Sequence, residues 1–486
     1  MSGVLAALSV TSDLTRGHPP GEAMRACLVA SDLGRRAGLS AGSLGDIYYG
    51  TLLRFAGCAA TSHEMAAALG GDDIVVRARG DLTDAARPAE SMRLLAGLGQ
   101  GVEKLRILGR APGVPRLVVA GARADCEVGA DLTRRLRLPE TVRLAVLDAF
   151  ERFDGRGAPA GRAGEDVAEA ARFAAVGYCA VMFDAVGGAD VARETVARWS
   201  GRALDPAVAT VFLESPDELL QLSDPEDLWQ AVVDAEPVPR RVFRDDAALD
   251  EALAGFGDAA DLKTPWFHGH SRGVAGLAGR AAAHLGSADP AVVRRAGFVH
   301  DLGRVAVPTG VWELPRTLRP EERELVRLHP YHSGRILARS PVLAPLGLVA
   351  SRHHERTDGS GYPAGVTGGE LDQAARLLAA ADVLHALGEP RPYRPALEPG
   401  EASRVLSALP PLPAALTERE LDVLRRLVTG RTKREIAAEL IISPSTVHTH
   451  TVHIYGKCGV TSRAGLAMFA MQHGLAGARA ADSRAG

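Results

Sequence analysis

His353-His354-Glu355-Arg356-Thr357-Asp358-Gly359-Ser360-Gly361-Tyr362-Pro363 returns, in altered form, 204 residues earlier in the same chain. Sliding Phe150–Tyr178 onto His354–Asp382 leaves thirteen of the twenty-nine positions identical without a gap. They include the pairs Glu151/Glu355, Arg152/Arg356, Asp154/Asp358, Gly155/Gly359, Gly157/Gly361, Pro159/Pro363, Gly161/Gly365 and Arg172/Arg376. A weaker match at an offset of 248 sets Asp13-Leu14 on Asp261-Leu262 and Gly21 on Gly269. The chain is therefore read as two copies of one domain, 13–213 and 244–408, with surface insertions in the first.

Outside the copies, Glu214–Glu236 holds eight acidic residues and is followed by Pro237 and Pro239. The segment 214–243 reads as a solvated acidic, proline-bearing connector with one short helix around Leu228–Val233. Pro410-Pro411-Leu412-Pro413 cannot lie inside a helix, because proline lacks a donor and clashes with the preceding turn. It marks a linker at 409–415, ahead of a C-terminal unit at 416–474.

Both copies read as helical. Pro290 at a helix start precedes Val292, Val293, Ala296, Val299 and His300, and Leu371, Ala374, Ala375, Leu378 and Asp382 form a second helical stripe. Short β-like runs occur only in copy 1, at Ile74–Val76 and Leu117–Val119. The expected fold is mainly α: two all-helical domains followed by a four-helix unit.

Composition bounds the function. Hydrophobic residues at 46% and charged residues at 24% exclude wholesale disorder, collagen-like repeats and a coiled-coil rod. A net charge of −3 excludes a globally basic nucleic-acid coat, though not one basic domain. The five cysteines show no CxxC spacing, which excludes a zinc ribbon and predicts reduced thiols. No apolar run is read as long enough for a membrane span, and Met1–Val10 lacks the basic start of a signal peptide. A cytoplasmic protein with no membrane partner is expected.

The two stripes end on ionisable residues. At i+4 and i+7 from apolar neighbours, His300 and Asp382 carry an imidazole and a carboxylate onto buried faces. A buried carboxylate needs a cation or a dense hydrogen-bond shell. His270, Asp301, His329, His353 and His354 supply further candidate ligands. Helix neighbours point about 100° apart, so His300-Asp301 and His353-His354 cannot each clamp one ion. They can serve two adjacent ions, with Asp301 as a candidate bridge. Nitrogen-rich ligation suits iron, manganese or zinc better than magnesium or calcium.

His300-Asp301-Leu302-Gly303-Arg304 resembles the HD motif of the HD phosphohydrolase superfamily, and residues 353–363 resemble the second motif of its HD-GYP subgroup. Ala381-Asp382 and Arg391-Pro392-Tyr393-Arg394 extend the likeness over copy 2. The resemblance implies an all-helical, metal-dependent phosphodiesterase acting on cyclic di-GMP. It implies two divalent transition-metal ions, iron or manganese ahead of zinc, held by His270, His300, Asp301, His329, His353, His354 and Asp382. Asp301 and Arg304 would be catalytic, and Arg304, Gly361, Tyr362 and Pro363 would bind substrate. Arg304 stands where the family usually has Lys, which keeps the charge and changes the fork geometry. Leu384 and His385 replace a Tyr and an Asp often seen after the metal-binding Asp.

The same alignment strips copy 1 of its chemistry. Glu22 stands for His270, Arg54-Phe55 for His300-Asp301, Asp125 for His329, Ala149-Phe150 for His353-His354 and Tyr178 for Asp382. Phe and Ala cannot ligate, and Arg54 would repel a cation. Copy 1 is expected to be a packing partner, with a degenerate ligand-sensing pocket as the alternative.

From Leu416 to Gly474, eight basic residues face five acidic ones. Thr417 with Glu420 makes a capping box, Gly430 ends that helix, Lys433–Leu440 is a second, and Ser443-Pro444 opens a third. Two short helices joined by a tight turn form a helix-turn-helix, whose second member enters the major groove of double-stranded DNA. Leu416-Thr417-Glu418-Arg419-Glu420, Glu435-Ile436-Ala437 and Ser445-Thr446-Val447-His448-Thr449-His450 resemble the LuxR-type DNA-binding domain. The resemblance implies Ser445, Thr446, His448 and His450 at base edges or phosphates, Lys433, Arg434 and Lys457 on the backbone, and dimerisation through a fourth helix, Arg463–His473. His448 and Gly456 replace usual basic residues, which predicts weaker, less salt-sensitive binding.

The reading is a homodimeric transcriptional regulator whose HD-GYP-like region senses or hydrolyses a nucleotide second messenger. Its rivals are a phosphodiesterase with an accessory DNA-binding domain and a regulator whose metal site is purely structural.

Overall fold

The computed structural model describes residues 1–366, 370–407, 416–458, 460 and 463–472. The proline-rich linker at 409–415 and the end of the C-terminal unit beyond Gln472 lie outside the described residues. Among the described residues there are helices and no strand, only three isolated bridges.

Local sequence explains the helix starts. Asp289 accepts the Ala291 N–H at 2.8 Å ahead of Pro290–Val299, and Asp372 accepts the Ala375 N–H at 2.7 Å ahead of Gln373–Leu387. The two β-like runs are corrected: Ile74–Val76 lies in the helix Asp73–Asp81, and Leu117–Val119 in Val114–Arg135. Asp72 caps the first, and Pro115 sits in the opening turn of the second. These helix-start signals outweigh the weak strand preference of three apolar residues.

The copies share one hydrophobic core. Leu5, Leu8, Leu52 and Leu132 of the first pack in the same buried cluster as Leu253, Phe256, Val299 and Ile336 of the second. The N-terminal helix Ser2–Arg16 is buried along nearly its whole length. The segment 214–243 departs from the solvated expectation. It forms two helices, Pro216–Leu222 and Leu228–Asp234. Val232 is fully buried, and the Trp229 indole donates to Gly3 O at 2.9 Å. An apolar face thus docks while acidic residues such as Asp224 and Glu226 stay at the surface.

One helix, Glu169–Trp199, is long and apolar enough by composition to cross a membrane, unlike the reading of the sequence. Gly187 and Gly188 interrupt it, and its Phe173, Val176, Cys179 and Phe183 belong to a second buried cluster in copy 1. The C-terminal helices Glu418–Val428, Lys433–Leu440, Pro444–Cys458 and Arg463–Gln472 build their own cluster around Leu424, Ile436, Val447, Ile454 and Leu466.

Candidate metal centre and DNA-reading face

Three imidazoles of copy 2 are set by the same local device. The Nδ1 of His300 lies 2.8 Å from Gly297 O, that of His329 2.6 Å from Val326 O, and that of His353 2.6 Å from Ala350 O. Each carbonyl sits three residues earlier in a helical turn. It accepts the Nδ1 proton, so Nε2 is the nitrogen that the neutral ring can offer as a ligand. His270, at the N-terminus of His270–Leu285, does the same with a side chain: its Nδ1 is 2.8 Å from Glu389 Oε2, and Arg391 holds that carboxylate at 2.7 Å.

These Nε2 atoms converge on Asp301. Its Oδ2 is 2.8 Å from His300 Nε2 and 3.4 Å from His270 Nε2; its Oδ1 is 3.2 Å from His329 Nε2 and 3.5 Å from His353 Nε2. Asp382 Oδ1 lies 3.0 Å from His270 Nε2 and 3.7 Å from His300 Nε2. Among the described residues, His300 Nε2 and both Asp301 oxygens are buried without a partner in hydrogen-bond geometry. Donor atoms of His270, His300, Asp301 and Asp382 lie within 4.8 Å of one another, as do those of His329, His353 and His354. The seven candidate ligands thus fall into two groups, with one Asp301 oxygen facing each. Imidazole nitrogens and carboxylate oxygens crowded together in this way fit a pair of cations.

The electrostatics agree. Burial opposes charge on His300, yet the adjacent Asp301 and Asp382 raise its pKa to about 9. Burial lowers His329 to about 4 and holds His354 well below the usual imidazole range. Against the cost of burial, Arg304 and His300 keep Asp301 well below the carboxylate range. One half of the cluster demands positive charge and the other presents neutral ligands.

Arg304 is buried, with its guanidinium 4.3 Å from the Phe267 ring centroid and Nη2 2.7 Å from Asp301 Oδ2. Its Nε and Nη1 have no hydrogen-bond partner among the described residues. Tyr362 stacks on His354 at 4.8 Å, which brings the Gly361-Tyr362-Pro363 loop to the cluster. Sequence reasoning missed Glu389, Phe267 and Trp312, which orient His270, Arg304 and His329. The pairing of His385 with Glu389 four positions on was the available signal.

Copy 1 has an aromatic plug where these groups sit. Phe55 packs edge to face with Tyr178 and tilted against Phe150, and the Arg16 guanidinium lies 3.8 Å over the Phe55 ring. Asp125 is taken by Thr61 at 3.0 Å and Arg77 at 3.2 Å, and Arg54 donates to Ala171 O.

In the C-terminal unit, Ser445, Thr446 and His448 are exposed on Pro444–Cys458, while Val447, Thr451 and Ile454 face inward. His450 is half-buried. Lys433 and Arg434 are exposed at the start of the preceding helix, and Lys433 Nζ is 2.7 Å from His448 Nδ1. Lys457 lies instead against Glu420, at 2.8 Å, where it neutralises the carboxylate of the capping box.

An HD-type helical domain followed by a helix-turn-helix unit is the class these features define. The HD domain family matches residues 256–409, and the luxR family of bacterial regulatory proteins matches residues 414–470. The chain therefore carries an HD domain followed by a LuxR-type DNA-binding domain, and its relatives are HD-GYP-type cyclic-dinucleotide phosphodiesterases. It is 27% identical over 441 residues to the 3'3'-cGAMP-specific phosphodiesterase 3 of Vibrio cholerae, covering 87% of this chain and 95% of that protein. It is 34% identical over 163 residues to a cyclic di-GMP phosphodiesterase of Thermotoga maritima, covering 33% of this chain and 44% of that protein. A crystal structure of a cyclic GMP-AMP-specific phosphodiesterase from V. cholerae superposes with a TM-score of 0.57 at 22% identity. It covers 93% of this chain and 97% of that one, so the two share a fold.

Proposed function

We propose that this chain is a DNA-binding transcriptional regulator whose copy 2 binds two divalent transition-metal ions and senses or hydrolyses a cyclic dinucleotide. The observation that carries it is the buried convergence of four imidazole Nε2 atoms on the Asp301 carboxylate. His270, His300, Asp301 and Asp382 would hold one ion and His329, His353 and His354 the other, with Asp301 between them; iron or manganese is favoured. Such a pair supplies a hydroxide nucleophile and neutralises phosphate charge.

The chain's own residues then bind and orient. Arg304, fixed over Phe267 with Nε and Nη1 unpartnered, would take a phosphate oxygen in charge-assisted hydrogen bonds. Gly361, Tyr362 and Pro363 would wall the substrate against His354. In the C-terminal unit, Ser445, Thr446, His448 and His450 would read DNA, with Lys433 and Arg434 on phosphates. A homodimer would set half-site spacing, and occupancy of copy 2 would bias its geometry.

The test is turnover of cyclic di-GMP and 3'3'-cGAMP by protein reconstituted with metal under anaerobic conditions. His300→Ala/Asp301→Ala is the control, and metal content is measured on both samples. Turnover or tight binding lost in the control supports the reading; unaltered binding or turnover overturns it. DNA retention by the full chain must vanish when residues 416–486 are removed. The separate hydrophobic cluster of the C-terminal unit favours a second reading, an enzyme with an accessory DNA-binding domain. In that case DNA affinity would be indifferent to the dinucleotide.

A further inference from the structure

Copy 1 keeps the fold of the loop that copy 2 uses beside its cluster. Glu151 accepts the N–H groups of Ala160, Gly161 and Arg162, as Glu355 accepts those of Ala364, Gly365 and Val366. Gly155 and Gly359 have φ of 72° and 74°. Yet where copy 2 has Ser360, whose hydroxyl donates to Asp358 at 2.6 Å, copy 1 has Arg156. A loop that closes with a serine has no need of an arginine there.

Arg156 borders an open cleft of about 480 Å³ together with Arg87, Arg152, Arg202, Asp84 and Asp154. Arg152 engages both carboxylates: Nε and Nη2 grip Asp154 at 3.0 and 2.9 Å, and Nη1 reaches Asp84 at 2.9 Å. Arg87 lies 3.5 Å from Asp84 and 3.2 Å from Glu90. Arg156 and Arg202 form no carboxylate ion pair within 4 Å among the described residues, and both are exposed. Four guanidiniums stand against the two lining carboxylates and Glu90, which leaves one positive charge in excess at the cleft. The volume falls in the range of about 300–1,000 Å³ typical of small-molecule sites. Guanidinium forks match phosphate oxygens in bidentate geometry.

We propose that this cleft in copy 1 binds a dinucleotide through its two phosphate charges, so that the degenerate copy is a ligand receptor distinct from the cluster in copy 2. The arginines set the phosphate class, and the choice of a dinucleotide rests on the function proposed above. Arg152, fixed by its two carboxylates, gives the cleft a rigid floor. Arg156 and Arg202 supply the charge that a ligand neutralises.

The experiment is calorimetric titration of the full chain carrying His300→Ala/Asp301→Ala, in chelator. The probes are cyclic di-GMP, 3'3'-cGAMP, a 5'-phosphorylated linear dinucleotide and inorganic phosphate. A dinucleotide should bind with one equivalent and weaken with salt. Arg156→Ser and Arg202→Gln should each lower its affinity about tenfold, the loss of one charge-assisted contact. Both residues are exposed, so an unchanged thermal melt separates lost binding from lost folding. The cyclic and linear probes distinguish a messenger from its hydrolysis product. Binding insensitive to both arginine substitutions overturns the proposal, as does no binding in this background or equal affinity for inorganic phosphate. Arginine-dependent binding without any turnover in the unsubstituted, metal-loaded chain would leave this site standing while the hydrolytic reading fell.

Discussion

Asp301 presents one oxygen to each group of imidazoles, so its two acceptors do separate work. Asp301→Asn replaces one acceptor by a donor and removes the charge. We expect metal content to fall and turnover to drop by about a hundredfold or more, the scale of losing a principal electrostatic element. Elemental analysis alongside a dinucleotide hydrolysis assay checks both. In copy 1, His18 sits between carboxylates, with Nδ1 2.9 Å from Glu22 and Nε2 2.9 Å from Asp81. Burial works against its charge, but these bonds raise its pKa to about 9. A folded-state pKa above the unfolded value of about 6.5 gives stabilisation that is complete below that pH and lost as pH rises through 9. The contribution is on the order of 3 kcal/mol. Chemical denaturation across pH 6–10 should show the decline, and His18→Gln should flatten it.

The loop 355–365 is built around a close approach. A Cβ on Gly361 would collide with the Arg356 nitrogen and the Glu355 Cα, and Gly157 meets the same backbone in copy 1. Gly361→Ala should therefore destabilise by about 1–3 kcal/mol, the usual range for overpacking. It should displace Tyr362 from His354 and abolish dinucleotide turnover while DNA retention persists. The repeat showed these glycines in the sequence, because a backbone requirement outlasts the chemistry it once served. Lys457, which the LuxR-type resemblance places on the DNA backbone, has a partner the sequence did not show: the packed helices bring it to Glu420. Lys457→Ala should lower the melting point of the C-terminal unit and leave the salt slope of DNA binding unchanged. Lys433→Ala should reduce that slope by about one. Filter-binding titrations against salt separate the two.

Across the whole molecule, copy 1 reaches into the wall of the copy 2 site. Lys263 and Asp73, both fully buried, pair at 2.6 Å; the same Asp73 accepts the Thr309 N–H, and Gly71 O accepts that of Gly310. These contacts seat the short helix Thr309–Trp312, whose Trp312 ring lies 5.8 Å from His329 and 5.2 Å from Phe267. Lys263→Met strands a buried carboxylate and should cost about 3–5 kcal/mol. Asp73→Asn in the same chain should recover part of that loss. Equilibrium unfolding of the two variants and the double variant measures the coupling.

The sequence by itself determined the duplication, the helical class, the seven candidate ligands, the loss of ligands in copy 1 and the helix-turn-helix. Each of these is local: a period, a cap, a motif, or a residue type that can or cannot donate a lone pair. Tertiary packing decided that Asp301 divides its oxygens between two imidazole groups and that Glu389 orients His270. It also brought Phe55, Phe150 and Tyr178 into one plug and joined the copies through Lys263 and Asp73. Those pairings join residues far apart in the chain. Their partners are selected by shape and by the need to satisfy buried charge, neither of which has a period that a sequence can display.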